Sequence, residues 1–197
     1  MEAAVKIENL RLSFHGPQGR VEAVKGVDLK VSAGETVALV GESGCGKTAL
    51  CRSILRLHAE HAEIESGRIF LCGRDITRLS EREMEKLRGV DAAMVFQDPM
   101  TSLNPVFSIG QQIMEPILIH EKVSRREARN RALDLLRAVG IPEPELRFFQ
   151  YPHHFSGGMR QRTAIAIALA CNPRLFIADE PTTALDTENQ KQIVELL

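Results

Sequence analysis

Apolar and polar residues alternate along "VKIENLRLSF" (5–14) and again along "VEAVKGVDLKV" (21–31), the period of two expected where one strand face is buried and the other is wet. His15, Gly16, Pro17, Gln18 and Gly19 lie between the runs and supply a turn, so the chain is expected to open with antiparallel β structure. The pattern then changes. "TVALV" (36–40) is continuously apolar, as in a strand covered on both faces, and leads through a Gly-rich stretch into the helical pattern "TALCRSILRL" (48–57). "GRIFLC" (67–72) predicts another strand, Ser80 and Glu83 fit a capping box for a short charged helix, and "AAMVF" (92–96) returns to buried strand.

From Asp98 to about Ala170 the pattern is helical, as in "SIGQQIMEPILI" and "SRREARNRALDLLRAVG". Ser124 and Glu127 fit a second capping box, Ala128, Ala132, Leu135 and Val139 share a face, and Gly140 followed by Pro142 ends that helix. "RLFIA" (174–178) restores the buried-strand pattern, and "TENQKQIVELL" (187–197) starts a further helix. The expectation is a single α/β domain: an N-terminal antiparallel lobe, a mostly parallel core sheet in 1–97 and 171–197, and a helical insert over 98–170.

Charge and composition narrow the function classes. With 25 basic and 26 acidic side chains the net charge is −1, so no global field draws the chain to nucleic acid. Arg125, Arg126, Arg129 and Arg131 cluster locally and read as a solvated helix face, with a partner or headgroup surface as the alternative. The opening "MEAAVKIENL" has no basic segment followed by an apolar run, and no stretch of about 18 apolar residues occurs, so a cytoplasmic location is expected. Cys45, Cys51, Cys72 and Cys171 show no metal or disulfide spacing and read as reduced, packed side chains.

Three stretches carry chemistry. "GESGCGKT", comprising Gly41, Glu42, Ser43, Gly44, Cys45, Gly46, Lys47 and Thr48, satisfies G-x-x-x-x-G-K-[ST] between a predicted strand and a predicted helix. Its glycines let backbone N–H groups wrap a polyphosphate, Lys47 would neutralise the β and γ oxygens, and Thr48 would ligate Mg²⁺. Asp179 and Glu180 end an apolar strand, where an open α/β sheet presents ligands. Successive strand residues point oppositely, so Asp179 can hold Mg²⁺, directly or through water, while Glu180 faces attacking water as general base. Gln97 follows "AAMVF" and can reach metal or water. In "FSGGMRQR", Ser156 is an N-cap and Gly157 and Gly158 leave first-turn amides uncovered, a second anion-receiving helix N-terminus. Two such termini suit one nucleotide shared between two subunits.

Taken together, these stretches resemble the ATP-binding cassette (ABC) transporter ATPases over essentially the whole chain. "GESGCGKT" matches Walker A, Gln97 the Q-loop, "FSGGM" the signature, "RLFIADE" Walker B and "TALD" (183–186) the D-loop, in family order. Phe14 matches the aromatic position that stacks on adenine, although its strand parity with Leu10 and Leu12 suits a core residue equally well. The signature departs from the commoner form at Phe155 and Met159. "FQDPMTSLNP" with "YPHHFSGGMRQR" and "IADEPTTALD" is similar to the ATPase subunits of peptide and nickel importers.

That resemblance implies ATP and Mg²⁺, integral-membrane permease subunits, a second ATPase subunit and, indirectly, a substrate-binding protein. It also implies attachment to the inner face of the cell membrane. Rival readings are a nucleotide-binding module without turnover and a soluble non-transport ABC protein. The family's switch histidine would follow Glu180, where this sequence has none, so the resemblance implies a missing C-terminal part. The expectations are impaired hydrolysis and an exposed strand edge.

Overall fold

The computed structural model describes residues 3–17, 19–58, 61–97 and 102–180. Residue contacts divide the chain into two compact units, Met1–Ala92 and Ala93–Leu197. In the first unit, β1 (Ala3–Gly16) and β2 (Gly19–Ser32) form the expected hairpin, and β3 (Ala62–Leu71) and β4 (Arg74–Asp75) complete an antiparallel sheet in the order β2-β1-β3-β4. The buried positions run Val5, Ile7, then Leu10, Leu12, so the inward parity changes between residues 7 and 10. The register shifts there, and Asn9 adopts φ +44° with its N–H donating to Asp28 Oδ1 at 2.9 Å. An extra residue at a bulge thus returns the apolar side chains to one face.

Helix α1 (Lys47–Ile54) follows the Gly-rich loop, and α2 (Glu81–Leu87) starts at Ser80, where Glu83 Oε2 accepts from the Ser80 N–H at 2.9 Å and hydroxyl at 2.8 Å. The strand expected at 36–40 does not form. The segment is irregular and enters no ladder with a described strand, and Val40 is 93% exposed. An apolar run supplies strand propensity, but a strand exists only where a neighbour takes up its N–H and C=O groups.

In the second unit, β5 (Ala92–Val95) and β6 (Leu175–Ala178) form a two-stranded parallel sheet, the part of the expected core sheet seen among the described residues. Among the described residues the interval between them holds four α-helices, α3 (Ile109–His120), α4 (Arg125–Ala138), α5 (Pro144–Arg147) and α6 (Gly157–Leu169), and a short 3-10 helix, Pro152–His154. Ser124 caps α4 by accepting from the Glu127 N–H at 3.2 Å, but the Glu127 carboxylate makes no return bond to the Ser124 N–H, so the expected capping box is half formed; Gly140 ends the helix at φ +71°. Ser108 and Gln111 make a full capping box on α3 that the sequence reading did not single out. Val95, Ile113, Leu136, Phe148, Phe155 and Ile165 belong to one buried cluster, so the strand end and the helices share a core.

The basic cluster on α4 is a solvated face at three of its four positions. Arg125, Arg126 and Arg129 are exposed, Arg129 also lying over the Phe148 and Phe149 rings at 5.6 and 5.5 Å, whereas Arg131 is half-buried, pairs with Glu121 and donates to Ala170 O at 3.1 Å. The Arg131 guanidinium holds the Glu121 carboxyl below its usual range. None of the four cysteines is in a disulfide. Cys51 and Cys171 are buried, as expected of packed side chains, but Cys45 is exposed.

Candidate functional site

Gly46 is the N-cap of α1 at φ +98°, and no side chain caps this helix start. No side-chain cap therefore competes with a ligand for its first-turn N–H groups. A Cβ on Gly46 would sit 2.2 Å from Ala23 O, so the loop can press against β2 only with glycine there. Lys47 Nζ donates to Gly41 O at 2.7 Å and Glu42 O at 2.8 Å, which curls the loop around the ammonium group. Glu42, Ser43 and Gly44 are exposed and Thr48 is half-buried. Beside the loop lies an open cleft of about 440 Å³, walled by Gly44, Cys45, Gly46 and Lys47 and by Ala23 and Val24 of β2. That volume suits a small ligand. Phe14 is half-buried on β1, opposite Val21 and Ala62, with its ring 5.7 Å from that of His61.

In the second unit the ends of β5 and β6 bring three predicted residues together. The Asp179 N–H donates to Val95 O at 3.0 Å, which extends the pairing of the two strands by one residue. Asp179 is 6% exposed, while Glu180 is exposed and has φ +49°. Gln97 Nε2 donates to Glu180 Oε2 at 2.7 Å, joining the two strand ends through their side chains. One carboxylate is buried and the other is at the surface, but through the left-handed turn at Glu180 rather than strand alternation, since β6 ends at Ala178.

α6 begins as the sequence predicts. Ser156 Oγ accepts from the Met159 N–H at 3.3 Å, which leaves the hydroxyl proton free to donate outward. Gly157 is exposed, and a Cβ added there would meet nothing within 4 Å. Phe155, one of the two departures in the signature, is 3% exposed and anchors the turn in the core. The D-loop residues 183–186 lie outside the described residues.

A family model described as "ABC transporter" matches residues 24–183. This chain belongs to the ABC transporter family. It is 51% identical over 197 residues to the dipeptide transport ATP-binding protein DppD of Bacillus subtilis (strain 168), covering 100% of this chain and 59% of that protein. It is 50% identical to the oligopeptide transport ATP-binding protein OppD of the same organism, over 98% of this chain and 54% of the relative. The chain thus spans a little over half the length of these curated relatives. Among solved structures, the ATP-binding cassette MJ0796, in a dimeric post-hydrolysis state bound to ADP and Pi, matches with TM-score 0.88 and 30% identity. That match covers 98% of this chain and 80% of the solved one. The fold is that of an ABC ATPase cassette.

Within the cassette, Gly41 to Thr48 gather in the first unit, and Gln97, Asp179 and Glu180 gather in the second. The Tyr151, His153 and His154 rings, which enter the sequence analysis only within "YPHHFSGGMRQR", lie together just before the signature. His153 and His154 have centroids 4.1 Å apart, and Tyr151 stacks on His153 at 5.7 Å. The signal was present as "YPHH", but adjacent histidines without a third ligand match no site pattern. Among the described residues no group of three or more His, Cys, Asp or Glu side chains is placed to hold a metal, and no helix is long and apolar enough to cross a membrane.

Proposed function

We propose that the chain is the ATP-binding and ATP-hydrolysing cassette of an importer that carries peptides across the cell membrane. The observation that carries the hydrolytic part is the Gln97 to Glu180 hydrogen bond beside a buried Asp179. It leaves one outward carboxylate, steered by an amide, to face a water. The peptide assignment rests on the names of the relatives, both peptide transport ATP-binding proteins.

ATP would lie along the P-loop cleft, with the α1 N-terminus and Lys47 against its phosphates and Phe14 offering a ring face to adenine. The Lys47 ammonium has three donors, so it can turn at least one from the loop carbonyls to a phosphate oxygen. Glu180 orients the attacking water and accepts its proton, and Gln97 fixes the carboxylate by donating to it. Magnesium takes hard oxygen donors, and the Thr48 hydroxyl, the Asp179 carboxylate and the Gln97 side-chain oxygen are of that kind; the ion would supply charge neutralisation at the phosphates. Ser156, Gly157 and Gly158 of a second cassette would close over the γ-phosphate.

The partners of this reading are permease subunits, a second ATPase subunit and a substrate-binding protein, with the cassette peripheral on the inner face of the membrane. The test is copurification with a peptide permease pair in liposomes. Peptide-loaded binding protein should raise ATP hydrolysis by the complex. Membrane association without peptide stimulation would sink the cargo assignment, and ribosome or DNA association would sink the transport assignment.

A further inference from the structure

α6 carries three buried polar side chains, and two have visible partners. Arg162 Nη1 donates to Val139 O and Thr163 Oγ1 donates to Met159 O, each at 2.8 Å. The third is Gln161. It is 1% exposed, and neither its Nε2 nor its Oε1 has a hydrogen-bond partner among the described residues. A primary amide sealed from water with both ends idle is disfavoured, because it has given up its water bonds and gained none. Such groups are few in folded proteins, and functional strain is one of their recognised causes. A methionine would fill a similar volume with no donor or acceptor to leave idle.

The position of Gln161 supplies a reason for keeping the amide. It follows the N-cap Ser156 by five residues, on the helix whose first amides are read above as facing the γ-phosphate of a second cassette. An amide side chain offers one acceptor and a donor group, the complement of a backbone peptide unit. We propose that Gln161 is a positioning residue for the nucleotide-closed state, its amide gaining peptide partners only when the signature helix is drawn onto ATP held by the other subunit. The inference rests on the shared-nucleotide reading of the proposed function. A bond made in the closed state and absent from the open one shifts the balance toward closure by the difference between them. Gln161 thus destabilises the free cassette and favours the loaded dimer.

The experiment compares the parent cassette, Gln161→Met and Gln161→Leu, each in a Glu180→Gln background so that ATP persists, with Ser156→Arg as the control. Three quantities are read: the thermal unfolding midpoint without nucleotide, the affinity for Mg–ATP, and the ATP concentration that half-drives dimerisation by light scattering. The expected result is a raised midpoint, unchanged ATP affinity and dimerisation needing about tenfold more ATP, the scale of one or two hydrogen bonds. A purely structural glutamine would not couple greater free-state stability to weaker closure. Lowered midpoints in both variants would mean that the amide is already bonded in the free state, for example to buried water, and would overturn the proposal. Dimerisation equal to the parent overturns it as well; if Ser156→Arg also dimerises like the parent, the shared-nucleotide reading falls with it.

Discussion

Glu180 holds a left-handed backbone, φ +49°, which costs a side-chain-bearing residue about 1–2 kcal/mol. Asp179 is anchored by its N–H on Val95 O and Glu180 by Gln97, so the turn that strains Glu180 also parts the two carboxylates. Glu180→Gln preserves size and the capacity to meet Gln97 but removes the base. We expect it to keep Mg–ATP affinity within about twofold and to slow single-turnover hydrolysis by about 10²–10⁴, the range for loss of a positioned general base. Hydrolysis within tenfold of the parent would assign water activation to another group. The two acids were legible in "IADE" because a strand end is a local signal. Their tie to Gln97 was not, since the residues lie 83 apart in sequence and only the β5 and β6 pairing brings them together.

Among the elements, those governed by neighbours in sequence were read correctly. The caps at Ser80, Ser124 and Ser156 and the glycine stop at Gly140 each depend on residues within one helical turn. The strand at 36–40 and the bulge at Asn9 depend on distant partners, and there periodicity was a poor guide. α2 offers a pH test of the local class. The Ser80 N–H and hydroxyl both donate to the Glu83 carboxylate and hold its pKa below the usual range, with Arg74 assisting. A group whose folded pKa is depressed stabilises above its unfolded value, about 4.3, and that contribution is lost as pH falls through the folded value. The unfolding-midpoint difference between the parent and Glu83→Gln should therefore be constant near neutrality and shrink toward zero below about pH 4. A difference that grows on acidification would mean that the carboxyl is not held in its ionised form by Ser80.

At the scale of the whole molecule, the chain carries its phosphate loop in one compact unit and its signature helix start in the other. A nucleotide shared head to tail needs one of each from two copies, so loss of either alone should abolish both sites of a homodimer. Lys47→Ala removes the ammonium that shapes the loop through Gly41 O and Glu42 O, and should lose nucleotide binding. Ser156→Arg places a long cation at the exposed α6 entry and should leave binding intact while blocking closure. Mixing the two tests the geometry directly. A mixed dimer has one site built from the intact loop of the Ser156→Arg chain and the intact signature of the Lys47→Ala chain, and a second site defective on both sides. In a Glu180→Gln background, neither variant alone should dimerise with Mg–ATP, whereas an equimolar mixture should, with one nucleotide retained per dimer. If the mixture stays monomeric while the unmutated pair associates, either both sites must be filled for closure or the two motifs do not meet across subunits. A tandem fusion of an unmutated chain to one carrying both substitutions separates these, because it retains one complete site if the motifs meet within a chain and none if they meet across subunits.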